Sequence, residues 1–210
     1  MLTKDLSTSK RVQPSFIEPM QAALVRGLPD GRLWAYEAKF DGYRCLVANR
    51  NGRIALWSRR GNTFTERFPE IARVCEKLPP DTLIDGEVVA IDESGKVFIQ
   101  RITAQPPKIA YPVYAFDILV HRGRNVLGRP LESRRELLLE AMAKIEYPVL
   151  PSQAFDAKPA DLIRAAKNWN WKACCLRVFK QWYCALAIFD SPAEYGQNFM
   201  RAAVMSFRIC

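Results

Sequence analysis

Residues 37–44 read Glu-Ala-Lys-Phe-Asp-Gly-Tyr-Arg, which sets one lysine, Lys39, between the carboxylates of Glu37 and Asp41 and ahead of Arg44. Side chains on a strand repeat with period two, so a lysine and a carboxylate at alternate positions share a face. Such a face can hold an amine beside an anionic substrate. A free lysine has a pKa of about 10.4 and is almost wholly protonated at neutral pH. It becomes a nucleophile only where its charge is managed. A neighbouring cation such as Arg44 and partial burial lower its pKa, whereas carboxylates raise it. Asp41 has two readings: it holds the lysine, or it makes the Asp-Gly turn.

The elements that must position these residues are legible from pattern. Residues 1–30 read as an extended lead-in punctuated by Pro14, Pro19 and Pro29 and closed by the Pro29-Asp30-Gly31 turn. Strands follow at Leu33–Lys39, Tyr43–Asn49 and Ile54–Ser58, the last two joined by Asn51-Gly52, a strong hairpin signal. Pro69 suits the first turn of a helix whose apolar residues Ile71, Ala72, Cys75 and Leu78 recur at helical spacing. Leu83–Ile91, Val97–Ile99 and Val113–Val120 are strand-like, and Pro106-Pro107 interrupts the connection before the last of them. Ser133-x-x-Glu136 reads as a capping box ahead of a stripe of Leu137, Leu138, Ala141, Met142 and Ile145. The pattern is α+β, with antiparallel hairpins and helices laid against the sheet. It contains no G-x-G-x-x-G or Walker loop, which disfavours a Rossmann or P-loop nucleotide site.

At 49% hydrophobic and 25% charged, the 210-residue chain has a globular and not a disordered composition. No apolar run approaches the roughly 20 residues of a membrane helix. The polar N-terminus lacks a secretory signal's apolar stretch, so a cytoplasmic location without membrane contact is expected. The formal charge of +9 favours polyanionic partners, because neutralising phosphates releases counterions. The six cysteines include no C-x-x-C pair, and there is a single histidine, His121. A zinc cage, a disulfide framework and a His-based triad are therefore all disfavoured, and reduced buried thiols are expected.

Beyond Lys39 the chain carries Ser58-Arg59-Arg60-Gly61, Asp85-Gly86-Glu87 and Tyr114-Ala115-Phe116-Asp117. In this order and spacing, the set resembles the ATP-dependent DNA ligases, most closely the bacterial repair type, in the covalent nucleotidyltransferase superfamily. The resemblance runs from about Pro14 to Lys167. It implies a nucleotidyltransferase (ATP-grasp-like) adenylation domain with antiparallel sheets and packed helices, of which residues 31–167 form a part. It also implies a reaction in which Lys39 attacks the α-phosphorus of ATP, expels pyrophosphate and forms lysyl-AMP, the first step of nick sealing in DNA repair and recombination.

The remaining site residues follow by the same resemblance. Glu37 reads the adenine ring, where a carboxylate accepting from the exocyclic amine favours ATP over GTP; a cross-strand pair is its alternative. Arg44 and Arg59 contact ribose and phosphate oxygens, a task suited to the guanidinium fork. Either could instead be a sheet-edge charge. Glu87 lies near the ribose and the metal, Mg²⁺ or Mn²⁺, with Asp85 expected on the opposite face. Phe116 stacks on adenine or, read without the motif, fills the core. Asp117 is read as structural. The implied partner is nicked double-stranded DNA, engaged by a monomer. The alternatives are an RNA ligase, a capping-type nucleotidyltransferase, or a relic that binds nucleotide or DNA without turnover.

Departures from the family begin at residue 168. The family's E-G-hydrophobic-hydrophobic-x-K motif, its lysine-bearing W-x-K-x-K stretch and its OB-fold domain do not follow Lys158–Lys167, which reads as the helix leading to the glutamate motif. Instead Asn168-Trp169-Asn170-Trp171-Lys172-Ala173-Cys174-Cys175 has neither helical nor strand periodicity. Tryptophan has one codon, and asparagine and lysine have two each. Read two bases later, Asn168–Lys172 therefore becomes Leu-Glu-Leu-Glu-(Gly or Ser) whatever codons are used. Two hydrophobic residues follow. This is the missing glutamate motif in another frame. Residues 168–210 are accordingly read as out-of-frame sequence, with a diverged natural tail as the alternative. The expectations are a poorly packed tail, little or no self-adenylation and no nick sealing.

Overall fold

The computed structural model describes residues 11–21, 23–25, 34–38, 40, 42–93, 109–158, 160–162, 164, 173–178, 186–190 and 202–203. Lys39, Asp41, the Pro29–Gly31 turn, Val97–Ile99 and Pro106-Pro107 lie outside this set.

Asn51 and Gly52 both have positive φ, 51° and 88°, as in the two-residue type I′ turn whose twist matches the strands it joins. Those strands are Tyr43–Arg50 and Arg53–Ser58. In chain order the strands are β1 (Ala23–Val25), β2 (Trp34–Ala38), β3 (Tyr43–Arg50), β4 (Arg53–Ser58), β5 (Thr82–Val88), β6 (Val113–His121) and β7 (Arg124–Asn125), followed by β8 (Val149–Pro151), β9 (Ala154–Phe155), β10 (Ala173–Val178), β11 (Leu186–Asp190) and β12 (Ala202–Ala203). Helices α1 (Pro69–Cys75) and α2 (Leu131–Met142) complete the described elements. Residues 160–162 and 164, inside the helix expected at Lys158–Lys167, are helical. Among the described residues no helix is long and apolar enough to cross a membrane.

Two sheets form, one ordered β1-β12-β11-β10-β2-β9 and the other β4-β3-β5-β6-β7, with β8 parallel to β6. The second sheet is buried on both faces, so β3 is buried without a break from Cys45 to Asn49 instead of alternating. Cys45 and Val47 join Ile84, Val88 and Ile118 in a core that α1 covers with Ile71 and Val74 and α2 with Leu138 and Met142. Leu46 and Ala48 point the other way, to Leu83, Leu119 and Val120, under Val12 and Ile17 of the N-terminal segment.

Within the extended lead-in, Ala23–Val25 pairs with both β11 and β12. Three expectations need correction. Helix α1 ends at Cys75, and Leu78 closes a turn through its N–H to the Cys75 carbonyl at 3.0 Å. Ser133 caps nothing: α2 starts two residues earlier, at Leu131, behind Pro130, with no side-chain cap. Proline's fixed φ delimits this helix in place of a hydroxyl. Finally, Asn168–Cys175 does contain strand, since its last three residues open β10, which pairs antiparallel with β2 from Cys174 opposite Ala38 to Val178 opposite Trp34. The expected poor packing of 168–210 concerns side chains outside the described set.

Candidate active site

Three anchors hold the octapeptide on either side of Lys39. Glu37, on β2, is 2% exposed and accepts from an Arg135 guanidinium N–H and from Ser152 Oγ at 3.0 Å. Arg135 also donates to the Ser152 carbonyl at 2.9 Å, so helix, strand and loop are tied at one carboxylate. Phe40 stacks on Tyr114 of β6 with ring centroids 3.8 Å apart and planes 10° from parallel. The Gly42 N–H donates to Glu87 Oε1 at 3.2 Å. A Cβ at Gly42 would lie 2.1 Å from the Val88 carbonyl oxygen, so only glycine lets the loop approach β5 this closely.

The floor beside these anchors is one face of the second sheet. Register puts Arg44 opposite Glu87 and Leu46 opposite Asp85. Residues two apart on a strand share a face, so Asp85 and Glu87 lie on the same side. The expectation that Asp85 faces away is therefore overturned. Asp85 is fully buried and takes Arg44 bidentately, at 2.6 Å to Nε and 2.5 Å to Nη2. The same guanidinium lies 4.6 Å over the Phe116 ring. Phe116 is 8% exposed and spends one face on this cation. Glycine at 86 lets β6 come close, since a Cβ there would sit 2.8 Å from the Tyr114 carbonyl.

Arg59 is exposed on the turn after β4, as is Arg60, and its guanidinium donates to Gln21 Oε1. The turn is closed by the Gly61 N–H to the Ser58 carbonyl at 2.9 Å. Neither arginine turns into the core, so Arg59 is the exposed cation of the set and Arg44 the one held by a buried carboxylate. Asp117, read as structural, is fully buried under a bidentate Arg134, at 2.8 and 3.0 Å.

Burial pushes the Cys45 thiol well up, with Cys75, Asp85 and Glu87 adding to the effect. Burial alone pushes Cys75 to about 12. Both are free thiols, and neither is a nucleophile at neutral pH. Among the described residues no three His, Cys, Asp or Glu side chains gather into a cation site. Mg²⁺ usually binds through one or two carboxylates plus substrate phosphates and water. Glu87, beside the anchored loop, is a hard oxygen donor of that kind. Such a donor fits a metal that arrives with a nucleotide's phosphates.

Sequence reasoning missed Arg135, Ser152 and Tyr114. One signal was present: Arg134 lies on the apolar stripe between Leu131 and Leu138, and a stripe arginine implies a buried acid. Its neighbour Arg135, about 100° round the helix, reaches the other sheet.

The anchored octapeptide, the guanidinium on an aromatic and the two largely antiparallel sheets define an α+β domain. Residues 19–175 match the ATP-dependent DNA ligase domain, and the chain belongs to that family. It is 34% identical over 169 residues to the multifunctional non-homologous end joining protein LigD of Pseudomonas aeruginosa, covering 76% of this chain and 20% of that protein. It is 34% identical over 185 residues to a DNA ligase of Methanococcus maripaludis, covering 74% of this chain and 32% of that protein. The chain thus spans about a fifth of the LigD relative. Among solved structures, mycobacterial DNA ligase D complexed with ATP and MES superposes with a TM-score of 0.68 at 26% identity, over 78% of this chain and 55% of that one.

Proposed function

We propose that this chain is the nucleotide-binding side of a DNA ligase adenylation domain, with Lys39 as the residue that takes the adenylyl group of ATP. The observation that carries the reading is the anchoring of the octapeptide on both sides of Lys39, by Glu37 under Arg135 and Ser152 before it and by Phe40 on Tyr114 and Gly42 on Glu87 after it. Reaction at a single amine demands a loop held to within a fraction of an ångström.

In this reading Glu37, oriented by Arg135 and Ser152, accepts from the adenine amine. Phe116 presents its ring to the base, Arg44 and Arg59 meet ribose and phosphate oxygens, and Glu87 holds Mg²⁺. The metal would supply positive charge at the phosphates. Lys39 must lose a proton before attack, and the Arg44 cation favours that loss. The product, lysyl-AMP, would serve nick sealing in duplex DNA by a monomer in the cytoplasm. The buried free thiols Cys45 and Cys75 suit a reducing compartment.

Residues 168–210 we read as out of frame. The alternative-frame Leu-Glu-Leu-Glu-(Gly or Ser) supports this, because the family's glutamate and lysines belong there. Strand β10 pairs with β2 through backbone groups that almost any sequence supplies, so its presence fits either reading of the tail. One missing charge at such a site is often worth about 10²–10³ in rate, so self-adenylation by the chain as it stands is weak or absent. The test is incubation with α-labelled ATP or GTP and Mg²⁺, with equilibrium binding of each nucleotide alongside. Preference for ATP, with any covalent label lost in Lys39→Ala, supports the reading. Preference for GTP would favour the capping-type alternative.

A further inference from the structure

A cavity of about 500 Å³ opens between the β6–β7 hairpin and α2. It lies at the other end of the second sheet from Gly42 and Glu87. His121 is five positions along β6 from Phe116, roughly 16 Å at about 3.3 Å per residue. Val126 and Leu137 form the apolar lining, and His121, Arg122, Arg124, Arg129 and Glu140 supply the polar groups.

The charges there do not balance. Glu140 Oε1 serves both Arg122, at 3.3 Å, and the His121 imidazole, at 3.9 Å. Arg124 and Arg129 have no carboxylate partner among the described residues. His121 is 8% exposed, and its buried Nε2 has no hydrogen-bond partner. A buried polar atom left unsatisfied calls for an explanation. Here it lines a cationic cavity that nothing in the adenylation site uses.

The hairpin turn gives an independent observation. Arg122 and Gly123 both have positive φ, 50° and 77°, the same type I′ geometry that Asn51-Gly52 adopts elsewhere. At the first position of that turn Asn, Asp or Gly is favoured, and a bulky side chain is an outlier. The chain thus accepts an unfavoured backbone state to place a guanidinium at this rim. The N-terminal segment crosses behind it, with Val12 N–H on the Gly123 carbonyl at 2.8 Å, and adds Arg11, itself paired with Asp81 at 3.0 Å.

We infer that this cavity is a second phosphate-binding site, taking one or two backbone phosphates of duplex DNA well away from the adenylation site. The inference rests on the reading of DNA as the substrate. Arg124 and Arg129 meet the phosphate oxygens as forks, and His121 Nε2 closes the site from within as a donor. The site carries no sequence specificity. It adds affinity and fixes the orientation of the domain on the duplex.

The experiment uses the full chain and its Arg124→Ala/Arg129→Ala variant, both residues lying outside the nucleotide site. Duplex affinity is measured from low to moderate salt, and each phosphate contact contributes about 0.9 to the log–log salt slope. The variant should bind more weakly, with a slope smaller in magnitude by about 1 to 2, while its ATP affinity is unchanged. An equal slope in both proteins overturns the site and leaves the DNA reading intact. Absence of salt-dependent duplex binding by the parent chain overturns both. Since His121 is the only histidine, its imidazole ¹⁵N resonances are a single-site probe. Duplex DNA should shift them in the parent chain and not in the variant. A shift that saturates with inorganic phosphate but is not produced by DNA would overturn the DNA assignment in favour of a free-anion site.

Discussion

Arg135 of α2 and Glu37 of β2, 98 positions apart in sequence, form an ion pair in which the carboxylate is 2% exposed. Ser152 completes it from the loop between β8 and β9. A carboxylate held from two sides offers its remaining lone pairs in one direction, which is what recognition of a single exocyclic amine requires.

Arg135→Met should therefore release Glu37 and lower ATP affinity by about tenfold, near the 1–2 kcal/mol of a lost charged hydrogen bond. GTP affinity should change little, and Arg135→Lys should fall between. Equilibrium titration with both nucleotides checks this. A parallel loss for ATP and GTP would mean that Arg135 acts on the fold and not on base choice.

The neighbouring arginine does a different job. Arg134 is 2% exposed and Asp117 fully buried, so Arg134→Met leaves a buried carboxylate uncompensated and should cost about 3–5 kcal/mol. Urea unfolding monitored by tryptophan fluorescence reads the loss. Arg134→Met/Asp117→Leu should recover much of it, because the charge is then gone from both sides.

The octapeptide, the Asn51-Gly52 turn and strands β2 to β6 were legible in the sequence because their signals are local: period two, Asn-Gly, Pro at the start of α1. Arg44 and Asp85 show where legibility ended. Each was visible, yet their pairing depends on the register between β3 and β5, which no local pattern specifies. Ser133 misled because a Ser-x-x-Glu spacing also occurs inside a helix when proline sets the start. The Glu37–Arg135–Ser152 triangle joins three distant elements, and only the stripe position of Arg134 hinted that α2 meets buried acids.

His121 makes stability depend on pH. Burial lowers its pKa, Glu140 opposes that shift, and Arg122, Arg129 and Arg124 add to it. A depressed folded pKa means the native state prefers the neutral ring. The contribution is fully present above the unfolded value of about 6.5 and is lost as pH falls through the lower folded value. The melting temperature of the parent chain should drop more than that of His121→Gln between pH 7.5 and 5.5. Equal drops would contradict the assignment.

Native protein treated with N-ethylmaleimide at neutral pH should leave Cys45 and Cys75 unmodified, since both are buried and hold almost no thiolate. Peptide mass spectrometry before and after unfolding in urea reads this, with labelling appearing only after unfolding. Rapid native labelling of either thiol would contradict the core packing around β3 and α1.

The most direct test of the account is the intact mass after incubation with ATP and Mg²⁺, taken for this chain and for a version in which codons from residue 168 onward are read two bases later. The account predicts little or no added mass on the chain as it stands. On the frame-restored version it predicts the mass of one AMP, lost in Lys39→Ala. Stoichiometric AMP on the unaltered chain, or none on the restored one, would contradict it.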